Sequence, residues 1–239
     1  MLHYQPFVNA ETGEISGFEA LVRWTHPVLG LIPPDKFIPL AEANGIIVPL
    51  GEWVMRAACK QTKIWHQLGF YLKAAINLSA KQLHQKNLIS LVEHILIEND
   101  LDAKYVELEL TETAAFQPEV VPIIKQFKEI GLGLSIDDFG TGYSGLRNLK
   151  LFSIDKLKID KAFIQDILTS SNSLTIVTNI ISMAKKMNIT TLAEGVETNE
   201  QLQLLRKLGC NLIQGYYFSP PVSADIFTEL LTSKKRFNA

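Results

Sequence analysis

No run of about 18 apolar residues, the length a membrane-spanning helix needs, occurs in this chain of 239 residues. The sequence therefore contains no candidate for a helical membrane span. Cysteine is scarce: Cys59 and Cys210 stand alone, without CxxC or other metal-like spacing, which argues against a disulfide framework and against thiolate-held zinc. With no secretory leader ahead of Met1-Leu2-His3-Tyr4, two free thiols in a reducing, cytoplasmic compartment are the expectation. An excess of charge of either sign is also missing. A formal net charge of -2 gives no general attraction to DNA, RNA or anionic membrane, so any anionic ligand must be held by local groups or metals. A glycine-rich dinucleotide fingerprint after an early strand is absent as well.

What is present is an ordinary globular composition, 47% hydrophobic and 20% charged, in a chain long enough for a large core. Leu2 to Val8 and Ile15 to Trp24 read as strands joined by the polar turn Asn9 to Gly13, an antiparallel hairpin at the entrance to the fold. Asp35 is placed to cap a short helix through Ala43, and Trp53, Val54, Ala57, Ala58, Ile64 and Leu68 form a helical apolar stripe in which Trp53 and Trp65 read as packing residues. From Tyr71 strand and helix alternate. Strands are expected over Leu72–Leu78, Tyr105–Leu110, the run ending at Asp137 and Asp138, Lys156–Asp160, Ile189–Val196 and Leu212–Phe218, with helices between them and a terminal helix. Such alternation predicts a mainly parallel sheet with right-handed crossovers. Eight strand candidates in a chain of this length fit a closed (β/α)8 TIM-type barrel better than the alternative, a doubly wound open sheet.

In a barrel, functional groups collect at the C-terminal rim. Glu19, Asn77, Glu109, Asp137, Lys158, Glu194 and Gln214 each fall late in a different strand candidate and would converge on one mouth. Four acids and an amide oxygen are hard ligands suited to Mg²⁺ or Mn²⁺. Two such ions about 3.5 to 4 Å apart are a recurring solution for phosphodiester cleavage. Asp137 could bridge them and Asp138 serve the second, with Arg23 absorbing phosphate charge and Lys158 orienting the attacking water or stabilising developing charge.

Glu19-Ala20-Leu21-Val22-Arg23-Trp24 resembles the signature of the EAL family of cyclic di-GMP phosphodiesterases of bacterial signalling. The likeness continues in the family's order through Tyr4-Gln5-Pro6, Phe37 to Glu42, Asn77-Leu78-Ser79, Glu109 to Glu112, Asp137 to Ser144, Leu157 to Asp160, Glu194 to Glu197 and Gln214 to Phe218. The resemblance implies a (β/α)8 barrel with an antiparallel first strand, occupied by a single EAL-type domain over residues 1–239 that belongs to a longer signalling protein carrying sensor or diguanylate cyclase domains. It implies two Mg²⁺ or Mn²⁺ ions and hydrolysis of cyclic di-GMP to linear 5′-pGpG. Glu19, Asn77, Glu109 and Asp137 resemble ligands of one metal, and Asp137, Asp138 and Glu194 serve the other. Lys158 resembles the catalytic lysine and Gln214 the glutamine near the attacking water, with Glu194 also in the catalytic set. Gln5, Leu21 and Arg23 would meet the substrate.

Phe139 to Leu146 resembles the family's mobile loop, which couples the metal site to a homodimer interface, with Glu112, Ser144 and Glu197 anchoring it. Departures from the family pattern are Gly145, Phe152-Ser153 and Lys161, none of which removes a proposed ligand. Some relatives have lost catalysis and act as receptors for the dinucleotide, typically without the full ligand set. A receptor or protein-interaction module is therefore the alternative to an active enzyme.

Overall fold

The structure, a computed structural model, describes residues 1–140 and 153–233. β1 (Leu2–Asn9) and β2 (Ile15–Val22) form the expected hairpin, antiparallel from Leu2 opposite Val22 to Val8 opposite Ile15. Asn9 closes its turn through Oδ1, which accepts from the N–H groups of Glu11 and Thr12. β3 (Trp24–His26) and β4 (Gly30–Ile32) make a small separate hairpin. β5 (Lys73–Asn77), β6 (Val106–Thr111), β7 (Gly133–Phe139), β8 (Lys156–Ile159), β9 (Thr190–Ala193) and β10 (Leu212–Ile213) then run parallel to β2 around a ring. β1 closes that ring, antiparallel to both β10 and β2. The open-sheet alternative is excluded by this closure.

Helices cover the outside of the barrel: α1 (Pro34–Asn44), α2 (Ile47–Gln67), α3 (Ala80–Leu83), α4 (Leu88–Glu98), α5 (Glu112–Ala115) and α6 (Val121–Ile130), followed by Lys161–Gln165, Ser171–Lys186, Asn199–Leu208 and Ala224–Thr232. Asp35 does not cap α1 as expected. Pro33 holds the cap position, because Pro34 supplies a preset first helical residue that needs no N–H acceptor, and Asp35 lies in the first turn near the positive end of the helix dipole.

α2 also rotates relative to the expected stripe. Its buried face is Ile47, Gly51, Val54, Met55, Ala58, Cys59, Thr62 and Trp65, while Trp53, Ile64 and Leu68 are exposed. One residue is a 100° turn on a helix, so Trp53 next to Val54 falls on the shoulder of the apolar face rather than in it. Trp65 packs as read. It meets Tyr4, Phe18 and Phe227 at ring-centroid distances of 5.0, 4.9 and 4.8 Å, and its Nε1 donates to Thr228 Oγ1 at 2.8 Å.

The last two barrel strands are shorter than their apolar runs suggest. β9 stops at Ala193 and β10 at Ile213, because Gly195 turns left-handed at φ 70° and Gly215 lies where a Cβ would be 2.1 Å from the carbonyl oxygen of Val196. Both cysteines are buried free thiols. Most of the core lies between strands and helices, but Phe7, Ala75 and Leu192 form a separate small cluster with Leu212, facing the barrel interior.

Two substitutions in α2 separate its faces. Trp65→Ala is expected to cost about 3–5 kcal/mol, and Trp53→Ala to stay within about 0.5 kcal/mol, both read by urea unfolding. Similar losses from the two would contradict the orientation described.

Candidate active site

The period of two along a strand sends alternate residues inward, and the rim of this barrel receives inward residues that fall late in the strands. Glu19 of β2, Asn77 of β5, Glu109 of β6, Asp137 of β7 and Lys158 of β8 arrive in this way, while Glu194 and Gln214 follow directly after β9 and β10. Lys158 is at the centre. Its Nζ lies 2.9 Å from Glu194, 3.0 Å from Glu109, 3.0 Å from Asp137 and 3.6 Å from Glu19.

Hydrogen bonds hold Glu19 on both oxygens: Asn77 Nδ2 donates to Oε1 at 2.7 Å and Gln214 Nε2 to Oε2 at 2.8 Å. Gln214 Nε2 also donates to Gln5 Oε1 at 2.9 Å, and Gln5 in turn donates to the carbonyl of Ser219. The surface salt-bridge role that a lone Glu19 and Arg23 pair would suggest does not apply, since Glu19 is buried. Arg23 and Leu21 are half-buried and line a cavity of about 270 Å³ that reaches Asn77 and Thr111. Arg23 is steadied by donating to the Val22 carbonyl.

Burial alone would lower the affinity of Lys158 for its proton, but Glu109, Glu19, Glu194 and Asp137 together hold its pKa well above the usual lysine value. Glu19 is held below the usual carboxylate value: burial opposes this, and Lys158 with the Gln214 and Asn77 donors outweighs it. Glu109, Glu194 and Asp138 move the opposite way. Burial, against Lys158, raises Glu109 and pushes Glu194 up to about 8, while burial, Asp137 and a hydrogen bond with Asp160 push Asp138 up to about 6. Acids crowded beyond the capacity of one ammonium favour an added cation.

Asp137, Asp138 and Glu194 each offer a carboxylate oxygen, and these atoms lie within 4.8 Å of one another. Asp138 adopts a left-handed φ of 53°, an unusual conformation for a residue with a side chain, at a break in the β7–β8 register. Glu109 Oε1 and Gln214 Oε1 are buried without a hydrogen-bond partner. Hard oxygen donors, a close acidic triad and an unused buried carboxylate oxygen suit a divalent cation such as Mg²⁺ or Mn²⁺.

Glu112 caps the exit of β7. Its Oε2 accepts from the Gly140 N–H at 3.0 Å, so it holds the start of the segment it was expected to anchor. Ser144, Gly145 and the rest of that segment to Leu146 lie outside the described residues. Glu197 is exposed, and its N–H donates to Gln201 Oε1.

Two features escaped the sequence reading. Asp160 bonds Asp138 while its Oδ1 caps the next helix through Ala162 N–H. A second buried pair, Lys156 to Glu107 at 2.7 Å, lies one inward step below Lys158 and Glu109. The signal for it was present, since Glu107 with Glu109 and Lys156 with Lys158 repeat at the two-residue period.

The family model described as the EAL domain matches residues 1–221. The chain belongs to the EAL family. Among curated EAL relatives, the cyclic di-GMP phosphodiesterase NbdA of Pseudomonas aeruginosa is 44% identical over 241 residues, covering 100% of this chain and 31% of NbdA. The bifunctional diguanylate cyclase/cyclic di-GMP phosphodiesterase MucR of the same organism is 42% identical over 228 residues, covering 94% of this chain and 33% of MucR. The chain thus spans about a third of the length of these curated relatives. A solved structure described as the PaMucR phosphodiesterase in complex with c-di-GMP matches with a TM-score of 0.92 at 42% identity, covering 95% of this EAL chain and 93% of that one.

The cluster makes Lys158 a structural as well as a chemical centre. In chelator, Lys158→Met should destabilise this EAL domain by about 3–5 kcal/mol, the cost of leaving buried acids without their counter-charge. Mg²⁺ or Mn²⁺ should return part of that loss by binding the acids. Chemical denaturation with and without the ion measures both, and a loss below about 1 kcal/mol, the range of a surface pair, would contradict the arrangement.

Proposed function

We propose that this domain hydrolyses cyclic di-GMP to linear 5′-pGpG with two Mg²⁺ or Mn²⁺ ions. The observation that carries the reading is the convergence on Lys158 of Glu19, Glu109, Asp137 and Glu194, beside the triad of Asp137, Asp138 and Glu194. Glu19, Asn77, Glu109 and Asp137 would hold one ion, and Asp137, Asp138 and Glu194 the other. Bound ions of this type supply an activated water and neutralise phosphate charge.

The chain's own groups have separate tasks. Lys158, kept protonated by four carboxylates, is a fixed positive charge for the negative charge that develops during cleavage. Gln214 spends its amide N–H groups on Glu19 and Gln5, which leaves its buried Oε1 to accept from a water. Asn77 likewise donates to Glu19 and keeps its carbonyl oxygen as the ligand atom. Arg23 would meet a substrate phosphate, and the mostly apolar cavity beside it, with Leu21, Pro34 and Ile47, has room for a base. Gln5 would act mainly from behind, by fixing Gln214.

The same reading covers all of residues 1–239 as one domain of a longer cytoplasmic signalling protein with a sensor or cyclase region. The short share of the curated relatives that this chain spans, and the bifunctional name of one of them, support it. Homodimerisation through the segment after Phe139 is part of the proposal and rests on the family resemblance.

Purified domain with cyclic di-GMP and Mg²⁺ or Mn²⁺, followed by chromatography, tests the reaction. Metal-dependent 5′-pGpG is expected, reduced on the order of 10²-fold or more in Glu19→Ala and in Lys158→Ala, with the lysine variant losing kcat rather than raising KM. Ca²⁺, with its looser coordination, should permit binding and give little turnover. Binding without product in every metal would instead assign a receptor role.

A further inference from the structure

The opposite mouth of the barrel holds a cavity of about 440 Å³. Its lining comes from strand beginnings, including Lys73 of β5, Glu107 of β6, Lys156 of β8 and Thr190 of β9. Phe7, Ala75, Leu192 and Leu212, each one inward step below Gln5, Asn77, Glu194 and Gln214, stand between it and the active site.

Three of the six charged residues that line this cavity are already matched. Lys156 Nζ contacts Glu107 at 2.7 Å and lies 4.4 Å from the centre of the Phe7 ring. Asp155 accepts from Lys128 Nζ at 2.6 Å and from the Leu134 N–H. Two cations are left over. Arg206, half-buried in the last turn of its helix, is fixed because its Nε donates to the Ala10 carbonyl, and its two terminal amino groups have no partner among the described residues. Lys73 is likewise half-buried without a partner among them. Asn211 accepts from Thr191 through Oδ1, which leaves its amide N–H₂ as a donor. Glu11, exposed at the edge, is the acid that opposes this set.

We propose that this lower cavity binds a phosphate group, with Arg206 and Lys73 as its cationic clamp and Asn211 as a neutral donor. A guanidinium locked at Nε offers its remaining fork to two phosphate oxygens, and lysine adds a point charge. The volume accommodates a small phosphate ester as well as the free ion. The site is separate from the phosphodiesterase reading and does not depend on it.

The test uses the full chain in chelator at constant ionic strength. Inorganic phosphate and glycerol 3-phosphate are titrated against thermal unfolding, with chloride as control. A saturable rise in unfolding temperature beyond chloride is expected, with half-saturation moved about tenfold or more in Lys73→Gln and in Arg206→Gln, and unmoved in Arg23→Gln at the upper mouth. Tighter binding of glycerol 3-phosphate assigns the site to esters, and tighter binding of inorganic phosphate assigns it to the free ion. No rise beyond chloride, a rise that survives in both lower-mouth variants, or one abolished by Arg23→Gln overturns the proposal. Lys73→Gln keeps the test decisive if Arg206→Gln, which gives up the bond to Ala10, unfolds.

Discussion

A buried ammonium surrounded by carboxylates is the constraint on which this structure depends. Lys158 is 1% exposed, and removing such a charge from water costs several kcal/mol that only close, well-placed counter-charges offset. Those counter-charges come from β2, β6, β7 and the end of β9, which no local stretch of chain could bring together. A closed parallel ring does, because every strand then ends at the same rim. The acids are in excess over the ammonium, and burial, with the neighbouring acids adding to it, raises the pKa of Glu109, Asp138 and Glu194. The fold and an acidic cluster suited to a divalent cation are thus two consequences of one charge arrangement.

The interior is stratified by the two-residue period. Glu109 and Lys158 form the upper charged layer, and Glu107 and Lys156 repeat the pairing one step lower. On the neighbouring strands the lower step is taken by Phe7, Ala75 and Leu192 instead. Space is tight at this level, since a Cβ at Gly133 would come 3.2 Å from that of Glu107. Apolar packing therefore divides two polar mouths, and each keeps its own set of charges.

Much of this was legible in the sequence because strands register function in short range. Glu19, Glu109, Asp137 and Lys158 each fall late in a strand-like run, and the alternation within the run sets which side they face. Helical faces were less legible. Trp53 and Trp65 are both aromatic residues of α2, yet only Trp65 is buried, because burial depends on which 100° sector meets the barrel. Strand ends at Ala193 and Ile213 were also hidden, since the apolar run continues past them and only the left-handed turn at Gly195 and the close approach at Gly215 stop the ladder. Partners distant in sequence, such as Asp160 for Asp138 or Gln5 for Gln214, depend on closure and left no local mark.

That closure is itself bound to the site. β1 meets β10 at only two register positions, Val8 opposite Ile213 and Asn9 opposite Leu212, both toward the lower mouth. Toward the upper mouth the edge of β1 turns to another segment: Tyr4 exchanges backbone hydrogen bonds with Val222, and Gln5 donates to Ser219. Between them the seam is bridged by side chains, with Gln214 bonded at once to Gln5 of β1 and to Glu19 of β2. Because β10 ends at Ile213, this stretch of β1 has no ladder to it, and the amide pair fills the gap with groups that also fix the Glu19 carboxylate. This short join of the barrel and the orientation of Glu19 are therefore held by the same two glutamines, so loosening the seam would also release Glu19.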